Sequence, residues 1–489
     1  MLSNLSKASQ YIKDIYYFFL GTVFSRVFGF LATIYLTRSL TNNDFAIYAL
    51  FLRTTEYLSN FLRFGLGHSA QVLLAQEENK VRRLGIILAG IFLQLVMILI
   101  LLFFYFFRAD LSDLISQPEL NDYAPFLVLA LVGIASNYLF EHALRGLGSF
   151  KYLSGVVAMF SILELIFLYF AIQLLGLNGA IIAATLTRVL TSVFFLAYLI
   201  KYFWNISIMK ELSIALKAVI PILKVASPFG IVMLLQGAIG IYLLGLLTTY
   251  APVEQVGYLR LVGAIGSILV MIPNSLVPVF ITIVSKRNKE ESDESEKFLN
   301  INIIFTFYIS ILTIIVIYPL LELLTLFAFG EDFSNLNKYF LLACLLPFVT
   351  NLFNIVTSYL LGVRNLRWFC FIQVTTLAVN SIFGYYLIPV IQLNGFLIAE
   401  ASGFFIAFVV GFTYLNINKN VNEILTKVSK LVGGIFIVAG LIIIFSIFEN
   451  LLWEVIFSTL ISISLILYIY FFELSKQMRR KFNQFFLKR

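Results

Sequence analysis

Long apolar stretches, each about the length needed to cross ~30 Å of hydrocarbon with ~20 helical residues, recur along the chain with short polar breaks between them. The pattern predicts spans over 14–38, 44–72, 84–107, 122–146, 153–175 and 178–203, then 226–249, 255–284, 299–328, 335–362, 368–391 and 394–417, and finally 430–448 and 452–472. The first run carries Arg26 in its middle and no small-residue cleavage site, so it reads as a retained helix rather than a signal peptide. These spans predict an all-α polytopic membrane protein of about fourteen transmembrane helices. Between the sixth and seventh, the stretch from Trp204 to Lys224 has apolar residues at helical spacing with Lys210, Glu211 and Lys217 among them, the pattern of a surface helix. The polar run from Lys286 to Lys297 reads as a solvated loop.

Charge gives these spans a direction. With the N-terminus inside, twenty-six Lys and Arg fall on the cytoplasmic side, against only Arg38, Arg108 and Lys338 outside. That asymmetry obeys the positive-inside rule, supports an even helix count and predicts a cell inner membrane location with both termini cytoplasmic.

The chain also resembles itself at an offset of 216 residues. Leu177-Asn178-Gly179, Ile182-Ala183 and Tyr198-Leu199 match Leu393-Asn394-Gly395, Ile398-Ala399 and Tyr414-Leu415; upstream, Leu144, Gly146 and Lys151-Tyr152 match Leu360, Gly362 and Arg367-Trp368. Six spans per copy is an even number, so both copies share an orientation and should be related by a pseudo-two-fold axis along the membrane normal. The expected organisation is an N-terminal six-helix lobe (1–203), a cytoplasmic linker helix (204–225), a C-terminal six-helix lobe (226–418), and helices thirteen and fourteen with a basic tail (419–489). Paired bundles of this kind suit alternating access about a central cavity.

Composition sharpens the class. Hydrophobic residues make up 61% of the 489 residues and the mean hydropathy is +0.96, which a water-exposed surface cannot carry. The net charge of +8 lies in short loops rather than on one soluble face, so nucleic acid is set aside and membrane lipids are the expected surroundings. Two cysteines, Cys344 and Cys370, and two histidines, His68 and His142, supply no disulfide framework and no metal cluster. No cofactor is implied, and no nucleophile or acid–base constellation points to an enzyme.

The informative residues are five arginines inside apolar spans: Arg26, Arg53, Arg63, Arg188 and Arg260. A guanidinium near the bilayer midplane costs about 2.5–3.5 kcal/mol on insertion scales, so such residues usually line a wet interior and meet an anion. Thr22, Arg26, Gly29, Thr33 and Thr37 share one face of the first span; Arg53, Glu56, Asn60, Arg63 and Gly67 share one face of the second; Thr185 with Arg188, and Arg260 with Gly263 and Ser267, repeat the device. A planar fork of donors suits a pyrophosphate. The competing reading is that these arginines pair with Glu56, Glu141 or Glu164, or snorkel to headgroups. In the second half, Asn354 on span ten and Gln373 and Asn380 on span eleven form uncharged stripes that, with Asn60, suit sugar hydroxyls; polar glue between helices explains them equally. Glu56, Glu141, Glu164 and Glu400 are acids whose protonation could couple transport to an ion gradient, or which serve only as structural partners. Pro273 and Pro278 are candidate kink or gating positions in span eight, and Pro228 and Gly230 lie early in span seven.

The segment Phe24-Ser25-Arg26-Val27-Phe28-Gly29-Phe30, with Arg38-Ser39-Leu40, Asn43 to Tyr48, Val256-Gly257-Tyr258, Pro273 and Pro278-Val279-Phe280, resembles the polysaccharide-transport branch of the multidrug/oligosaccharidyl-lipid/polysaccharide flippase superfamily. That branch includes the Wzx-type O-antigen and capsule repeat-unit flippases and, more distantly, the lipid II flippases. The resemblance spans the chain and implies export of an undecaprenyl-pyrophosphate-linked oligosaccharide, with the polysaccharide polymerase machinery as a candidate partner. It implies that Arg26, Arg53 and Arg260 hold the pyrophosphate, and that helices thirteen and fourteen border the polyprenyl tail. Leu31, Ala32 and Thr33 stand where a lipid II flippase carries charge, which favours a surface-polysaccharide unit over a cell-wall precursor. A multidrug or cation antiporter of the same fold is the first alternative, disfavoured by the arginines. A polysaccharide polymerase or ligase is the second; the outer loop around Arg108 to Asp122 is short for that chemistry.

Overall fold

A computed structural model describes residues 2–106, 118–204, 212–271, 292–363 and 365–419. Among the described residues every regular element is helical: α1 (Leu2–Ser39), α2 (Asn42–Arg63), α3 (Leu66–Gln76), α4 (Lys80–Phe106), α5 (Ala124–Gly146), α6 (Phe150–Tyr202), α7 (Leu212–Tyr250), α8 (Glu254–Leu269), α9 (Ser292–Ile317), α10 (Leu321–Phe329), α11 (Phe340–Gly362) and α12 (Leu366–Lys419), with 3₁₀ turns at Pro118–Tyr123, Tyr318–Leu320 and Glu331–Tyr339. Seven of the helices are long and apolar enough to cross a membrane. The predicted spans thirteen and fourteen, the basic tail, and Pro273 and Pro278 lie outside the described residues.

Two of those seven cannot be single spans. α6 has 53 residues, and at ~1.5 Å per residue a straight helix of that length would extend about 80 Å. Instead the chain reverses at Gly176 (φ 56°, ψ −130°), and the rings of Tyr152 and Tyr198 stack at 3.9 Å, so the two arms run antiparallel. α12 does the same at Gln392 (φ 51°, ψ −123°), with Trp368 stacked on Tyr414 at 3.8 Å. Each hairpin therefore holds two predicted spans.

The offset of 216 residues is a repeat of conformation as well as of letters. Adding it to Gly176, Tyr152 and Tyr198 gives Gln392, Trp368 and Tyr414; adding it to α5 (124–146) gives 340–362, the bounds of α11. Each of these helices follows a 3₁₀ turn that ends in a tyrosine, Tyr123 or Tyr339. The hydroxyl of Tyr198 donates to Ser149 Oγ at 3.4 Å, and at the equivalent place Asn365 Nδ2 donates to the hydroxyl of Tyr414 at 2.8 Å. Behind each bend a glycine, Gly179 or Gly395, lies so close to the backbone of Ala171 or Leu387 that a Cβ would overlap it.

Two local departures from the predicted spans bear on the site. The second span is broken: α2 ends at Arg63, and Phe64 (φ 37°) and Gly65 (φ 68°) turn the chain before α3 starts. At Gly65 a side chain would be strained by φ and would also collide with Phe229 and Ala226 of α7. Residues 212–225, read from sequence as part of a separate linker helix, are continuous with the seventh span in α7, which carries Pro221 and Pro228 within it. Packing accounts for this, because the start of α7 lies along α4, where Gly85 gives room to Ile214.

α2 occupies the centre. Its start is capped by Thr41, whose Oγ1 accepts from the Asp44 amide at 3.2 Å, and every side chain from Phe45 to Leu52 is buried. It packs against α5, α7 and α8. A helix buried over much of its length carries Arg53 into the interior of the bundle, where its side chain is a quarter exposed.

Candidate functional site

Four of the five predicted arginines converge. Arg26 comes from α1, Arg53 from α2, Arg188 from the second arm of α6 and Arg260 from α8. Arg260 is the hub: its charge acts on Arg26, and those of Arg53 and Arg188 act on it. Space for Arg53 is left by Gly263, where a Cβ would stand 3.4 Å from Nη2. Arg188 Nη1 donates to the Ala184 carbonyl at 2.9 Å, while Asn137 Nδ2 fixes that stretch of backbone through the Arg188 carbonyl at 2.8 Å.

Their compensation by acids is partial. Of these four arginines only Arg53 has, among the described residues, a carboxylate within ion-pair distance, Glu56 on its own helix at 3.4 Å. Glu164 and Glu400 lie near enough for their charges to act on Arg260 and Arg53, yet form no ion pair with them. Four guanidinium groups and three carboxylates leave one net positive charge if all are ionised. Arg260 Nε is moreover buried with no hydrogen-bond partner among the described residues, an arrangement that leaves a donor free for an anion.

The stripe of α1 divides into two kinds of residue. Thr22, Thr33 and Thr37 return their hydroxyls to their own helix, at the carbonyls of Phe18 (2.8 Å), Gly29 (2.9 Å) and Ile34 (2.9 Å). Arg26, with Thr22 one turn before it, faces a cavity of about 450 Å³ that also takes in Ser25, Glu141, Arg145 and Ser154. At Gly29, a little further along, a Cβ would meet nothing within 4 Å.

Arg63 belongs to a different neighbourhood. Its guanidinium lies over the ring of Tyr138 at 4.9 Å, and Nη1 reaches Asn60 Oδ1 at 3.4 Å. As the last residue of α2, nearly three turns beyond Arg53, it stands apart from the cluster and near the two histidines, His68 and His142. Those rings meet edge to face at 4.6 Å, and His142 Nδ1 lies 2.7 Å from Gln71 Oε1.

The residues read as sugar contacts are dispersed. Asn60 is buried against Arg63. Asn380 is buried where the arms of α12 meet, with Oδ1 pressed against Gly403 so closely that a Cβ there would overlap it. Asn354 and Gln373 are half-buried on α11 and α12. Glu141, one of the acids considered for ion coupling, is paired with Arg145 four residues later. Arg145, counted by charge among the cytoplasmic-side basic residues at the end of the fourth span, has a side chain only 17% exposed that sits 5.4 Å above the Phe18 ring. The i,i+4 spacing of Glu141 and Arg145 was the available signal.

Among the described residues, a helical, membrane-length bundle with two structurally repeated halves and an arginine-bearing interior defines a polytopic membrane protein. Its fold is that of the MOP superfamily. The chain is similar to an inward-facing multidrug resistance MATE transporter (16% identity over 82% of this chain and 95% of that one, TM-score 0.62), to a MOP transporter from Pyrococcus furiosus described as having a binding pocket of reversed polarity (16%, 84% and 95%, 0.64), and to a MATE transporter from Vibrio cholerae (15%, 86% and 99%, 0.60). Residues 11–281, more than half of the chain, match the polysaccharide biosynthesis protein family, and the chain belongs to that family. No curated protein matches it in sequence.

Proposed function

We propose that this transporter is a flippase that moves an undecaprenyl-pyrophosphate-linked oligosaccharide, a surface-polysaccharide repeat unit, between the leaflets of a bacterial inner membrane by alternating access. The observation that carries the reading is the convergence of Arg26, Arg53, Arg188 and Arg260 with one ion pair among them. Like charges gathered in a low-dielectric interior repel, and a partner that lowers this cost should be anionic and able to take several donors at once. A diphosphate meets both requirements. A cationic drug meets neither, which weighs against an antiporter of the same fold.

In this account the diphosphate seats between α1, α2 and α8, the polyprenyl chain remains in lipid, and the two halves rock about the seated headgroup. Arg53 is held by Glu56 until phosphate oxygens replace the carboxylate. Glu164 and Glu400, near the cluster without closing ion pairs, are placed to restore neutrality once the anion has left. No bond is made or broken in the substrate, so the protein's work is binding and reorientation. The direction, cytoplasmic to outer leaflet, is the one the family resemblance implies; the positive-inside bias fixes only the orientation of the helices.

The test is transport by purified protein in proteoliposomes with a fluorescent undecaprenyl-diphosphate glycan. Arg26→Ala, Arg53→Ala and Arg260→Ala should each lower the flipping rate at least tenfold, and Arg260→Lys should recover part of it because charge is kept while the fork is lost. Wild-type rates in all three alanine variants would refute the proposal.

A further inference from the structure

The 450 Å³ cavity does not coincide with the arginine cluster; it lies between α1, α5 and the first arm of α6 and shares only Arg26 with it. Its wall holds two guanidiniums, Arg26 and Arg145, one carboxylate, Glu141, and the hydroxyl side chains Thr22, Ser25 and Ser154. Two polar groups there are buried and lack a partner among the described residues: Arg145 Nε and Ser154 Oγ. Arg145 reaches Glu141 through Nη2 and rests on Phe18. Of five donors in a guanidinium, a single carboxylate contact leaves most uncommitted. A volume of this size falls in the range of small-molecule sites, roughly 300–1,000 Å³.

An ion pair in such a place has a particular use. Without Glu141, Arg145 would be an uncompensated charge beside Arg26 whenever the cavity was empty; with it, the site is stable when empty and cationic as soon as an anion displaces the carboxylate. The charge bias that directs the chain puts the C-terminal end of α5, and so Arg145, toward the cytoplasmic side of Arg26. From there the cations form a series: Arg145 and Arg26 in one cavity, then Arg26 acting on Arg260 in the cluster.

We propose that this cavity is a loading site for a phosphate-bearing headgroup, where Arg145 exchanges Glu141 for phosphate oxygens and Arg26 hands the anion on to the cluster. The inference rests on the flippase reading and adds a second site to it. It makes a prediction that a structural salt bridge does not. Removing Arg145 should weaken binding, whereas removing the charge of Glu141 should strengthen it, since the carboxylate competes with the ligand. A pair serving only stability would lose binding in both variants, or in neither.

The experiment is a titration of full-length protein in nanodiscs with undecaprenyl diphosphate and, in parallel, with inorganic pyrophosphate. Arg145→Ala should raise the Kd for the lipid roughly tenfold or more, and Glu141→Gln should lower it severalfold. The same two shifts for pyrophosphate would show that the site reads the phosphates alone; shifts for the lipid only would show that it needs the headgroup on its chain; either supports a phosphate site. Wild-type affinity in Arg145→Ala, or weaker binding in Glu141→Gln, overturns it. Should Arg145→Ala fail to fold, the direction of the Glu141→Gln shift decides alone. If Arg260→Ala loses binding while Arg145→Ala keeps it, the loading site falls and the flippase reading stands; if neither variant changes binding, both fall.

Discussion

Gly176→Ala isolates the energetic cost of reversing a membrane hairpin. The residue sits at φ 56°, ψ −130°, a conformation that costs a residue with a Cβ about 1–3 kcal/mol. Nothing lies within 4 Å of where that Cβ would be, so no clash and no new contact enter, and the variant should lose about that amount of stability. Gln392, at the same place in the second repeat, already bears this strain and offsets it through its side chain: Nε2 donates to the Tyr250 carbonyl at 3.1 Å, and Oε1 accepts from Gln255, whose own Oε1 takes the Leu393 amide at 3.0 Å. Gln392→Ala keeps the strain and loses two hydrogen bonds, a cost of about 2 kcal/mol at ~1 kcal/mol each. Gln392→Gly loses the same bonds but relieves the strain, so its net change should stay within about 1 kcal/mol. Equilibrium unfolding of purified protein in mixed micelles, read by circular dichroism, ranks the three. A Gly176→Ala protein as stable as wild type, or a Gln392→Gly protein less stable than Gln392→Ala, would refute the reasoning.

Three further outcomes are expected. Gly403→Ala should destabilise the second hairpin, because its Cβ would overlap Asn380 Oδ1; pairing it with Asn380→Ala should restore part of the loss in the same unfolding assay. Arg63→Ala should lower folded yield through loss of the contact with Tyr138, yet leave flipping per folded molecule close to wild type, unlike Arg260→Ala. Arg38 at the end of α1 donates from Nε to the Ala328 carbonyl at 2.9 Å and from Nη2 to that of Phe327, at the C-terminal end of α10; Arg38→Ala should therefore speed hydrogen exchange over 321–329 severalfold while leaving α5 unchanged.

Much of this was legible in the chain because the membrane imposes one rule at a time. Apolar length marked a helix for each of the first twelve spans as far as the described residues extend, the eighth only in its first half, and the letters around Gly179 and Gly395 marked two hairpins that share a bend. The convergence of Arg26, Arg53, Arg188 and Arg260 followed from polar residues spaced three or four apart on apolar helices. Arg63 obeys the same spacing but is the weakest of the five on sequence, since it approaches an end of its helix; it is the last residue of α2, nearly three turns beyond Arg53. Arg145 was not legible in this way. Counting basic residues at span ends assigns them to water, whereas burial against Phe18 and the pair with Glu141 depend on how α1 packs on α5 and α6, which periodicity along one helix does not encode. Asn380 shows the same limit, since a polar stripe facing a sugar and one facing Gly403 of a neighbouring arm look alike in sequence. The continuity of residues 212–225 with α7 likewise comes from packing on α4.

The most direct measurement is a structure of the protein in nanodiscs with an undecaprenyl-diphosphate glycan bound. The account predicts phosphate density within hydrogen-bond reach of Arg260 and Arg26, with Arg53 drawn off Glu56 toward it. A headgroup seated elsewhere, with Arg26, Arg188 and Arg260 each closed onto a carboxylate of the protein, would contradict it.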